Sequence, residues 1–161
     1  MRRFLLSVAM AAGLGLTVMT PAAAQRGRHG NPQLVARLDS AAQRYKAAMP
    51  AMPHGGPDFG AIGNTGVDTS GFNVPEMRSG NRFRHVVFGF CVGCTDLNIQ
   101  VFADGTKLGE DMGPNATPVV EFSTVQRVRV RILTTMAGCG QATCEFGLQI
   151  MSANLMPGQA R

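Results

Sequence analysis

From residue 82 to residue 150, apolar and polar residues alternate in short runs, and that period narrows the fold more than any other feature. Val128, Val130 and Ile132 interleave with Arg127, Arg129 and Arg131, and Leu97, Ile99 and Val101 interleave with Asn98 and Gln100. Phe146, Leu148 and Ile150 repeat the pattern near the C-terminus. Successive side chains of a strand point to opposite faces, so this period describes strands with one buried face. Residues 82–91 add a stretch rich in Phe and Val, residues 118–122 a short apolar run, and Asp104-Gly105 a turn. Short strands split by Gly and Pro predict an all-β fold, an antiparallel β-sandwich or barrel, over residues 68–156, followed by a tail at 157–161. Composition agrees: 20 Gly and 9 Pro among 161 residues, with only 16% charged, exclude a coiled coil or long helical bundle. The 45% hydrophobic content excludes a fully disordered chain.

The N-terminus reads as a cleavable signal peptide over residues 1–24. Arg2 and Arg3 precede an apolar run at 4–19, and Pro21 with Ala22, Ala23 and Ala24 forms the small-residue site that a signal peptidase accepts. The run is shorter than the ~20 apolar residues that span a bilayer. No cysteine stands at the expected cleavage site, so there is no lipobox, and the expected location is periplasmic or extracellular. Residues 25–31 have no apolar period and are expected to be a disordered tail. Over residues 32–49, Leu34, Val35, Leu38, Ala41, Ala42 and Tyr45 fall on one face of an amphipathic helix. Asn31 is placed to cap it, Pro32 fits its first position, and Pro50 ends it. Residues 50–67 read as a Pro/Gly-rich linker. Within and beside it, Met49, Met52 and His54 stand close together, and thioethers with imidazole suit copper. The competing view of these three is loop packing.

Four cysteines, Cys91, Cys94, Cys139 and Cys144, all lie in the β region. In a cytosolic chain this spacing would raise zinc, and a C-x-x-C would raise thiol redox chemistry. Behind a signal peptide, an even set in a small domain is better explained by structural disulfides. Four cysteines allow three pairings. The short loop at 140–143, between two expected antiparallel strands, tips the balance towards Cys91–Cys94 and Cys139–Cys144 over the crossed pairs.

The formal charge is +5, but the excess gathers in the leader and in Arg26, Arg28, Arg37, Arg44 and Lys46. Export makes nucleic acid an implausible partner, and dispersed charges of this kind are an ordinary solvated face. Arg127, Arg129 and Arg131 differ, because period two puts them on one strand face at roughly 7 Å intervals. That face must point outward, either as charge on an exposed strand paired with acids such as Glu121, or as a docking strip for an anion.

The stretch from Phe88 through Cys91, Cys94, Asp96 and Leu97 to Phe102, then Asp104-Gly105, Asp111 and the Pro118-Val-Val-Glu-Phe run, resembles exported bacterial pre-peptidase C-terminal (PPC-like) β-sandwich domains. Arg129 to Leu133, Met136, Cys139, Cys144 and Phe146-Gly147 extend the resemblance over residues 68–151. It implies a jelly-roll-like antiparallel β-sandwich serving as a non-catalytic accessory module, sometimes stabilised by calcium, for which Asp96, Asp104 and Asp111 are the acids at hand. No nucleophile elbow, zinc-protease helix motif or phosphate-cradling glycine loop occurs. The expected function is therefore that of an exported accessory or binding module without catalytic residues or cofactor. Its partner would be an envelope polyanion, a glycan or another exported protein. The alternatives are a periplasmic thiol-redox protein using the C-x-x-C pair and a periplasmic metal-binding protein.

Overall fold

A computed structural model of the chain describes residues 30–48, 52–53, 56–74, 82–125 and 128–155. The expected signal peptide lies outside them. One helix, α1 (Pro32–Ala48), precedes nine strands: β1 (Met52–Pro53), β2 (Asp58–Ile62), β3 (Val67–Val74), β4 (Arg82–Val92), β5 (Cys94–Ala103), β6 (Thr106–Asp111), β7 (Val119–Thr124), β8 (Val128–Cys139) and β9 (Cys144–Leu155). They form two sheets. A five-stranded sheet runs β1-β9-β4-β7, with β2 also paired to β9, and a four-stranded sheet runs β3-β8-β5-β6. Every pairing is antiparallel. With β2 to β9 taken alone, the orders β2-β9-β4-β7 and β3-β8-β5-β6 are the double Greek key of a jelly roll, an all-β sandwich as expected.

The sandwich core lies between the sheets. Val130, Ile132 and Met136 from β8 and Leu97, Ile99 and Val101 from β5 meet Val87, Phe146, Leu148 and Ile150 from the facing sheet, all fully buried. A second core lies on the outer side of the five-stranded sheet, where Leu34, Leu38 and Ala41 of α1 cover Val86, Phe88, Met151 and Ala153. The middle of β4 and most of β9 are thus buried on both faces. That explains why β4 and β9 read as near-continuous apolar runs, whereas β5 and β8 of the other sheet alternate cleanly. His85 is part of the inner face and fully buried. Its ring nitrogens meet the hydroxyls of Ser152 at 2.5 Å and Thr124 at 2.8 Å, the satisfied arrangement that a core histidine requires.

Helix α1 begins as its sequence dictates. The Asn31 side chain accepts from the Gln33 amide at 2.9 Å, and the Asn31 carbonyl accepts from Val35 at 3.1 Å. Two boundaries differ from expectation. Gly30 and Asn31, assigned to the tail, are held in place: Gly30 lies against the Phe59 ring, and Asn31 donates to Glu145 at 2.7 Å. The segment 50–67, assigned to a linker, supplies β1, β2 and the first residue of β3. β2 pairs with β9 from Asp58↔Leu148 to Ile62↔Cys144, because its apolar residues Phe59 and Ile62 are needed by the two cores. The sandwich therefore starts before residue 68.

Near the C-terminal end of α1, Tyr45 stacks on Phe88 with ring centroids 5.2 Å apart. Burial, with Glu121 acting in the same sense, raises its phenol above the ordinary value of 10.0, against smaller opposing effects of Arg44 and Arg84. Because the folded form holds the proton longer, this group's contribution to stability is complete below pH 10 and is lost as pH rises through the raised value. The chain has one tyrosine. A spectrophotometric titration is expected to show a single phenol ionising above its ordinary range, returning to that range in denaturant.

Candidate anion-binding face

β8 is an inner strand of the four-stranded sheet, flanked by β3 and β5. Its alternation puts Val130 and Ile132 in the core and leaves Arg129 and Arg131 exposed on the outer face. Arg127 lies outside the described residues. In register, Arg131 stands between Gly71 of β3 and Phe102 of β5. Its guanidinium carbon is 5.5 Å from the centre of the Phe102 ring, a cation–π contact that fixes the side chain over the sheet. Arg129 lies across Gly71, where a Cβ atom would sit 3.6 Å from the guanidinium. Both guanidiniums thereby border one depression of about 470 Å³, closed on one side by Thr69 and Gly71 and on the other by the Asp104-Gly105 turn.

Among the described residues, the salt bridges are Arg84–Glu121 and Lys107–Glu110, so neither Arg129 nor Arg131 is in an ion pair. The expected partner Glu121 is ruled out by topology. It lies on β7 of the opposite sheet, facing outward, where Arg84 of the neighbouring strand engages it through two guanidinium nitrogens. Arg131 held over the Phe102 ring and Arg129 against bare backbone, neither in an ion pair among the described residues although Asp104 borders the same depression, present donors suited to bidentate contact with phosphate, sulfate or carboxylate.

The three acids considered for calcium are not brought together. Asp96 is the third residue of β5 and Asp104 lies in the turn beyond its end, roughly 25 Å along the strand. Asp111 closes the loop at 112–118, accepting from the amides of Gly113 at 3.1 Å and Val119 at 2.9 Å. Among the described residues there is no group of three His, Cys, Asp or Glu side chains that could hold a metal ion. Of the copper candidates, Met49 and His54 lie outside the described residues, and Met52 is described only as backbone in β1.

The cysteines pair locally, Cys91 with Cys94 and Cys139 with Cys144, at Cα separations of 5.9 and 5.8 Å. Cys94 and Cys139 are also opposite one another in the β5–β8 ladder, so the two bridges adjoin at one end of the sandwich. The C-x-x-C joins two strands, β4 and β5. What the alternation could not reveal was the Phe102 ring beside Arg131 and the bare backbone of Gly71 beneath Arg129. Both come from strands distant in sequence. Among the described residues, no helix is long and apolar enough to cross a membrane. No protein-family model matches the chain, and no curated protein sequence matches it significantly.

Proposed function

We propose that the protein is an exported, non-catalytic β-sandwich module that holds an anionic polymer of the cell envelope against Arg129 and Arg131. The observation that carries this reading is the convergence of two guanidiniums with no ion-pair partner among the described residues on one depression, between Phe102 and Gly71. Export is supported by the basic, apolar, small-residue order of the leader and by two cysteine pairs suited to an oxidising compartment. The PPC-like resemblance points to an accessory role.

The ligand class follows from the donors: phosphate or carboxylate groups repeated along a glycan or glycolipid. The test is binding of the purified protein to lipopolysaccharide at moderate salt, with neutral dextran as control. Arg129→Ser with Arg131→Ser is expected to weaken binding by at least about tenfold, since a hydrogen bond to a charged group contributes about 1.5–3 kcal/mol. The melting temperature should stay within a few degrees of wild type, because both side chains are exposed. Undiminished binding by the double variant would overturn the proposal.

A further inference from the structure

On the opposite side of the molecule, α1 does not cover its sheet completely. Beside Tyr45, the helix presents alanine, and the space left open is a groove of about 540 Å³. Phe88 and Phe90 of β4 form its floor and Val119 of β7 its far wall. Val119 is 41% exposed, a large apolar side chain facing water at the edge of an aromatic surface. A second depression of about 420 Å³ shares Arg44 and Phe90 with the first and extends past Arg37. Arg37 and Arg44 are two helical turns apart, so they stand on the same side of α1, roughly 10 Å from one another along its axis. Both are exposed, and neither is in an ion pair among the described residues. Glu121, the acid that acts on Tyr45, already engages Arg84. The groove is therefore apolar and aromatic in its depth and cationic along its helical rim.

We propose that this groove binds a single-chain amphiphile with an acidic head group, a medium-chain carboxylate. Its apolar chain lies on Phe88 and Phe90 beside Tyr45 and Val119, and its carboxylate meets Arg44, with Arg37 adding to the field. The volume is in the range that holds a small organic molecule, and an apolar lining with few polar groups is the usual composition of such sites. The head group follows from charge complementarity: a neutral amphiphile would leave both arginines unanswered, and a cationic one would be repelled. This site is separate from Arg129 and Arg131, which belong to the other sheet.

The protein carries its own reporter. It has one tyrosine and no tryptophan, so intrinsic fluorescence comes from Tyr45 in the groove. Titration of the purified protein with monomeric decanoate is expected to give a saturable change in that fluorescence. Decan-1-ol, with the same chain and no charge, should bind about tenfold more weakly, the ratio expected for one lost charge-assisted contact. Arg44→Gln should weaken decanoate by a similar factor and leave decan-1-ol unchanged. Arg129→Ser with Arg131→Ser should alter neither titration, which keeps the two sites distinguishable. Absence of a saturable response, equal affinity for the two probes, or an unaltered Arg44→Gln variant would overturn the proposal. So would a fluorescence change that tracked dimerisation, which would make a second copy the occupant. Binding to anionic vesicles without any response to decanoate would assign the groove to a membrane surface and overturn it equally.

Discussion

Val130→Asp is expected to leave no folded protein under conditions in which the Arg129→Ser, Arg131→Ser double variant melts almost as wild type. Val130 is fully buried between Ile132 on its own strand face and the facing sheet. A carboxyl there must either ionise without a partner or remain protonated among apolar side chains. Either course costs several kcal/mol, on the order of 4 or more, against a total stability of ~5–15 kcal/mol for a domain of ordinary size. One residue away on each side, the flanking arginines lose only exposed contacts, the largest being the cation–π contact of Arg131 with Phe102, about 0.5–1 kcal/mol. Far-UV circular dichroism and soluble yield measure the contrast. A folded Val130→Asp beside an unfolded arginine variant would mean that β8 carries its faces the other way round.

The strand faces of β8 were legible because period two is a local signal: each residue's side is set by its neighbour's, whatever the rest of the chain does. The helix start was legible for the same reason, since Asn31 caps through an amide only two residues away. Sheet order was not, because β9 must find β4 across more than fifty residues, and nothing local encodes that choice. The site divides along the same line. Arg129 and Arg131 could be placed on an outward face from spacing alone. Glu121 could not be assigned to either sheet, and it proved to belong to the one away from them. The groove beside α1 was invisible at the sequence level, for it exists only where a helix meets two strands, β4 and β7, that are themselves far apart in the chain. Of the calcium candidates, Asp96 and Asp104 are close in sequence but distant in space, because most of an extended strand separates them.

β2 was missed for a different reason, and its test is a double-mutant cycle. Gly60 interrupts its short apolar pattern, and an isolated glycine between Gly/Pro-rich flanks reads as loop. In the fold Gly60 is opposite Phe146 in the β2–β9 ladder, and a Cβ atom at 60 would lie 2.6 Å from two carbons of that ring. Glycine is there because the fully buried ring occupies the space a side chain would take. Gly60→Val is therefore expected to destabilise by about 1–3 kcal/mol through overpacking. Phe146→Ala should cost about 3–5 kcal/mol by opening a cavity in the main core. In the double variant the valine enters the space that the ring has left. Its destabilisation should fall short of the sum of the two singles by about 0.5–3 kcal/mol, the coupling typical of residues in contact. Urea unfolding of the four proteins measures this directly. If residues 58–62 were a linker lying off the sheet, Gly60→Val would be close to neutral, and the two changes would simply add.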